Sequence, residues 1–213
     1  MSDIFREIDE ELRRDNLVKL WSRYGRYIIA LAVLVLLVAG AIMAWRDHQL
    51  SERRAQATRY ASALTLAKDG KDAEAVKVFA AIAQEGGGYG TLAAFDEAEF
   101  LAKSGDRKGA IAAYDRIANS KGLDPAFREP AVLLSVMHGI SDTDPHVTID
   151  RLAPLTAAGD PWRPIALELT AVARLQSGDK SGALEVYKNL ADDVTAPQGL
   201  RARAAEMAAA LAS

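Results

Sequence analysis

A chain of 213 residues carrying 26 Lys plus Arg against 29 Asp plus Glu has a formal net charge of −3, and beyond Arg59 its basic residues are scattered among acids. A nucleic-acid partner wants a clustered cationic face, so none is expected. The chain has no cysteine, which removes disulfides, a lipobox and prenyl or palmitoyl anchors while remaining compatible with an oxidising compartment.

The first element is a charged leader, residues 1–26. Ile4, Phe5, Ile8 and Leu12 recur at helical spacing, and Leu17, Leu20, Trp21 and Tyr24 do so again after a phase slip near Asp15 and Asn16. This predicts two short amphipathic helices or one bent one. The second half suits the inner leaflet with Trp21 and Tyr24 at the interface; the first half, with its paired acids and bases, is open to a docking role.

Residues 27–45, YIIALAVLVLLVAGAIMAW, contain no charged side chain. At about 1.5 Å of rise per residue a helix of this length matches a hydrocarbon core of about 30 Å, so a single membrane span is expected. Tyr24, Tyr27 and Trp45 stand at the two ends, with Arg23, Arg26 and Arg46 within reach of headgroups. A buried helix of a soluble core would show a polar stripe, and this stretch has none. Between Leu12 and Arg26 there are five basic residues against one acid, and between Arg46 and Tyr60 four against two. The positive-inside rule therefore favours a cytoplasmic N-terminus and places the long C-terminal part outside the cytoplasm. Ala39-Gly40-Ala41 has the small-x-small pattern of a signal-peptidase site, but the long charged leader and the length of the apolar run fit an uncleaved anchor better.

Residues 46–68 are charged and then alanine-rich, and predict a juxtamembrane helix that leaves the membrane and joins a helical array. Over 56–196 the chain repeats itself. Gly70 is followed by Ala75, Val76, Phe79 and Ile82; Gly105 by Ala110, Ile111, Tyr114 and Ile117; Gly178 by Ala183, Leu184, Tyr187 and Leu190. A degenerate unit lies between the last two, where Asp150-Arg151-Leu152-Ala153 repeats Asp115-Arg116-Ile117-Ala118. Each Gly sits where a left-handed residue would close a helix, each Ala where two helices approach closely, and each aromatic where the gap to the next pair is filled. The template therefore predicts a helix-turn-helix per unit. Breaks between units are expected at 85–90 (EGGGYG), 122–125, 159–161 and 195–199, and residues 197–213 read as a capping helix. The fold class expected is all-α, a single transmembrane helix followed by an α-solenoid of about four helix pairs and a cap.

No catalytic, cofactor-binding or metal-binding residues are expected. His48, His138 and His146 form no His-Glu-x-x-His pair, and no Walker loop, Gly-x-Ser-x-Gly elbow or dinucleotide fingerprint occurs. The run Gly86–Gly90 has no apolar strand before it and reads as a linker; Glu97 and Glu99, two apart, should point to different helix faces. An enzyme is not expected.

The small, aromatic and glycine positions resemble the tetratricopeptide pattern, with Ala63, Ala98 and Ala171 as the small residues of first helices and Ala75, Ala110 and Ala183 as those of second helices. The third unit departs from it, with Ile140 for the turn Gly and Pro145 for the small residue, so its pair should be short or splayed. With a charged leader, one span and an alanine-rich juxtamembrane helix ahead of the repeats, the chain resembles the ancillary SecYEG translocon subunit family. That resemblance implies a single-pass protein of the bacterial inner membrane whose repeats face the periplasm. It also implies binding to the SecYEG translocon and to a membrane-anchored periplasmic chaperone of the prolyl-isomerase type. The same array would serve another envelope process, such as coordinating cell division with wall synthesis or assembling a respiratory complex. Projected onto these units, the groove positions of the tetratricopeptide pattern fall on Tyr60, Leu64, Phe95, Glu99, Lys103, Phe127, Leu134, Met137, His138, Glu168 and Val172. This surface suits an amphipathic helix or extended apolar segment. The competing expectation is that several of these residues, notably Phe95 and Leu134, are core or are covered by the capping helix or the juxtamembrane helix.

Overall fold

The computed structural model describes residues 23–213, apart from the side chains of Ile28 and Ala32, and the helical backbone from Ser2. The amphipathic leader expected over 1–26 thus falls, up to Ser22, outside the described residues. Among the described residues the elements are helices, without a strand: α1 (Ser2–Lys68), α2 (Asp72–Glu85), α3 (Gly87–Lys103), α4 (Arg107–Ala118), α5 (Pro125–Gly139), α6 (Pro145–Leu152), a 3-10 turn (Ala153–Thr156), α7 (Arg163–Gln176), α8 (Lys180–Asp192) and α9 (Gln198–Ala212). They fall into two compact units, residues 1–55 and residues 56–213.

In the first unit, α1 exposes its apolar residues. Leu36, Leu37, Met43 and Trp45 are 66–72% exposed, and none of the most apolar 18-residue window, of mean hydropathy 2.8, is buried inside the protein. A soluble core helix hides this surface; an exposed apolar helix that closes its own backbone hydrogen bonds is suited to lipid. Among the described residues it is the one helix long and apolar enough to cross a membrane. The helix runs through Ala39-Gly40-Ala41 without a break.

The second unit begins with the last turns of α1 and continues as antiparallel pairs, each helix packing on the next from α2 to α5 and from α6 to α9. The template residues behave as their chemistry requires. Gly70, Gly105 and Gly178 take φ of 74°, 89° and 86°, where a Cβ would be strained. The Asp after two of these glycines caps the next helix: Asp106 accepts from the Gly109 N–H at 2.9 Å and Asp179 from the Gly182 N–H at 2.8 Å. Ala63, Ala75, Ala98, Ala110, Ala171 and Ala183 are all fully buried, and Phe79, Tyr114 and Tyr187 fill the spaces beside them. Because Ala110 has no free surface, Ala110→Leu should overpack this region and cost about 1–3 kcal/mol. Denaturant unfolding of the full chain in detergent checks this, and an unchanged midpoint would place Ala110 elsewhere in the packing.

Two features differ from expectation or refine it. The run 85–90 is not a six-residue linker. Only Gly86 lies between helices, and Gly87–Gly90 form the first turn of α3. The reason is steric: a Cβ on Gly90 would lie 3.2 Å from the Ile82 carbonyl and 3.5 Å from that of Ala83, so glycine lets α3 cross the end of α2 at backbone distance. The third pair is short, as its departures suggest. Ile140 takes a right-handed φ of −55° after α5, and Pro145 opens an α6 of only 8 residues that tightens into the 3-10 turn.

The repeated Asp-Arg dipeptides acquire a structural meaning. Arg116 reaches back to Glu97 of α3 at 2.6 Å, and Arg151, its equivalent in the degenerate unit, reaches Asp115 of α4 at 2.5 Å. Ser135 Oγ donates to the same Asp115 oxygen at 2.5 Å, tying α4, α5 and α6 together.

Candidate functional site

The first helices of the pairs are the end of α1, α3, α5 and α7, and the residues projected onto the groove are distributed along them. The structure joins several through rings. Tyr60 packs edge-on against Phe79 and is tilted against Tyr89, both at 5.6 Å between centroids. Phe95 of α3 lies 6.2 Å from Tyr114 of α4, which stacks on His138 of α5 at 5.7 Å and 7°. Phe95 and Leu134 are half-buried against one cluster, formed by Ala98, Ala113, Tyr114, Ile117 and Ala131. These two therefore contribute to the core of the array.

Other projected residues are free of the core. Leu64 is exposed, as are Phe127 and Met137 on α5, at 43% and 53%. Glu99 and Lys103 are exposed on one stripe of α3 and pair at 2.6 Å. At the far end Val172 is half-buried, and Glu168 is held by Arg203 of α9 through two hydrogen bonds of 3.0 Å. The capping helix thus claims Glu168, and its Leu200, Ala204 and Ala208 pack on Ala171, Ala183, Tyr187 and Leu190.

Sequence projection missed Asp96. It is half-buried one residue after Phe95, and its carboxylate accepts from the Tyr60 hydroxyl at 2.5 Å. The signal was its place three residues before Glu99 and seven before Lys103, on the stripe those residues define. Burial, partly offset by the Tyr60 hydrogen bond and reinforced by nearby Glu99, holds the Asp96 carboxyl above its ordinary value. The Tyr60 hydroxyl is pushed up to about 12, first by burial and then by the hydrogen bond to Asp96. Tyr114 is also raised, by burial and then by Glu99 and Asp96, which places both acids within electrostatic reach of that ring. Glu97, by contrast, is buried on the opposite side of α3 from Glu99, as their spacing requires.

A separate cleft of about 440 Å³ lies behind α3, lined mainly by small residues, among them Gly86, Gly90, Ala94 and Ala113, with the Glu97–Arg116 pair at its wall. Its α3 lining, Gly90, Ala94 and Glu97, lies on the face of that helix away from Glu99 and Lys103. Among the described residues no group of three or more His, Asp or Glu side chains could hold a metal ion.

Residues 19–133 match the family described as a tetratricopeptide repeat-like domain, a stretch that includes both the apolar helix and the first pairs of the array. The ancillary SecYEG translocon subunit of Escherichia coli (strain K12) is 30% identical over 174 residues, covering 78% of this chain and 81% of that protein. No solved structure gives a significant match.

Proposed function

The chain belongs to the ancillary SecYEG translocon subunit family, with a tetratricopeptide repeat-like array on a single apolar helix, and on that premise we propose that it is a membrane-anchored adaptor that presents its groove to proteins leaving the translocon. Its anchor holds the array beside the channel. The array faces the periplasm and binds translocon components, and it recruits a membrane-anchored chaperone of the prolyl-isomerase type to emerging clients. The protein lies in the bacterial inner membrane with its N-terminus in the cytoplasm, and chemistry on the client is left to the chaperone.

The observation that carries this reading is that one family match, over residues 19–133, covers both the apolar helix and the first repeats. An array meant for free cytosolic ligands gains nothing from such a tether, whereas a fixed partner in the same membrane is met at high effective concentration. The basic excess on the N-terminal flank supports the orientation. A reporter active only outside the cytoplasm, fused after Ser213, should be active in cells. Activity of a cytoplasm-only reporter at the same position would reverse the topology and remove the periplasmic role.

A further inference from the structure

The groove is not electrostatically uniform. At its far end the acid on α7 is neutralised by Arg203. At its near end, Asp96, Glu99 and Asp72 all act on one cation, Lys103. The nearby aromatic rings are Tyr60, half-buried beside Asp96, and Phe100, half-buried on α3.

Lys103 shows what this end of the groove accepts. Its ammonium lies 2.6 Å from Glu99 Oε1 and 5.0 Å from the centroid of the Phe100 ring. An ammonium between a carboxylate and the face of a ring is held by both charge and the ring quadrupole. Asp96 offers a second carboxylate one turn earlier, held by the Tyr60 hydroxyl. Its Oδ2 is taken by the Tyr60 hydroxyl, while Oδ1 has no donor among the described residues. A half-buried carboxylate with a free oxygen binds a guanidinium or ammonium more strongly than an exposed one, because less water competes.

We propose that the stretch of the groove formed by Tyr60, Asp96, Glu99 and Phe100 docks the cationic side chains of a partner polypeptide, a segment in which Lys or Arg stands beside apolar residues. Lys103 is the resident competitor, displaced from Glu99 when the partner's cation arrives. The exposed apolar residues of α5 receive the rest of the segment. The inference rests on the groove being the binding face, and it adds the charge of the occupant.

The test uses the full-length protein in a neutral detergent and three fluorescein-labelled peptides that share their apolar residues and carry Lys/Arg, Gln or Glu at the remaining positions. Anisotropy should show the Lys/Arg peptide binding about tenfold or more tighter than the Gln peptide, with the advantage shrinking as salt rises. In the double variant Asp96→Asn, Glu99→Gln the advantage should vanish while affinity for the Gln peptide and the melting temperature stay the same. Asn keeps an acceptor for Tyr60, so the fold is preserved. Lys103→Met should tighten the Lys/Arg peptide. Equal binding of all three peptides would overturn the charge preference and leave the groove standing. Tighter binding of the Glu peptide, an unchanged preference in the double variant, or no binding of any peptide would overturn the proposal, and translocon co-purification from membranes judges the adaptor role independently of these results.

Discussion

Phe79→Ala should lower the stability of the helical array by about 3–5 kcal/mol, the cost of removing a large ring from a site that cannot collapse around the loss. Phe79 is fully buried among Ala63 of α1, Ala75 and Ile82 of α2 and Ala93 of α3, so the side chain joins three helices at one point. Its ring is edge-on to Tyr60 at 5.6 Å and stacked on Phe100 at 5.7 Å. Each aromatic contact adds about 0.5–1.5 kcal/mol beyond area burial, and alanine forfeits both. The fully buried neighbours are mainly alanines, Ala63, Ala75 and Ala93, with no side-chain freedom to fill the space. Against a total stability of about 5–15 kcal/mol, the first pair should separate from the array under mild denaturant. Urea unfolding of the full chain in detergent measures this, and a loss below about 1 kcal/mol would mean that the ring does not bridge the three helices.

The second large effect concerns the anchor. Val33 and Leu37 stand one turn apart near the middle of the apolar stretch and are 50% and 66% exposed in the isolated helix. An Arg near the centre of a span costs about 2.5–3.5 kcal/mol on the insertion scale, so Val33→Arg with Leu37→Arg should cost about 5–7 kcal/mol. Both guanidinium groups lie too deep for both to snorkel freely to a headgroup, and the described part of the span supplies no acid to pair with them. The double variant should leave the membrane fraction and wash out with alkaline carbonate. Retention equal to that of the parent would show that this helix is not what holds the protein in the membrane.

Much of the architecture was legible because its signals are local. A left-handed glycine, a buried alanine and an aromatic at fixed offsets each carry one steric requirement, and Gly105, Ala110 and Tyr114 meet all three. Even the irregular third pair announced itself through Ile140 and Pro145, which remove the turn glycine and a backbone donor. Gly86–Gly90 misled because composition cannot distinguish a glycine needed for turn freedom from one needed for close approach. Gly86 is the first kind and Gly90 the second, and only the position of the Ile82 carbonyl separates them.

The candidate site was less legible, since groove positions depend on contacts between units far apart in sequence. Glu168 looks free in the repeat pattern, yet Arg203 of the capping helix reaches it from 35 residues away. Asp96 was passed over because the pattern marks Phe95 and Glu99, while its partner Tyr60 lies 36 residues earlier. Phe95 and Leu134 fit both a groove and a core position in the repeat pattern; their half-burial against the cluster around Ala98 and Tyr114 gives them core contacts.

The adaptor reading is tested most directly by affinity capture of the full-length protein from membranes in mild detergent, comparing the parent with Phe127→Ser, Met137→Ser. Both side chains are largely outside the core, so the substitutions should change stability by less than about 1 kcal/mol. Two lost apolar anchors in a groove should nevertheless reduce capture about tenfold or more. The account predicts translocon subunits recovered with the parent and depleted with the double variant at unchanged stability. Recovery of only unrelated envelope proteins with the parent, or capture that falls only in step with a stability loss of several kcal/mol, would contradict it.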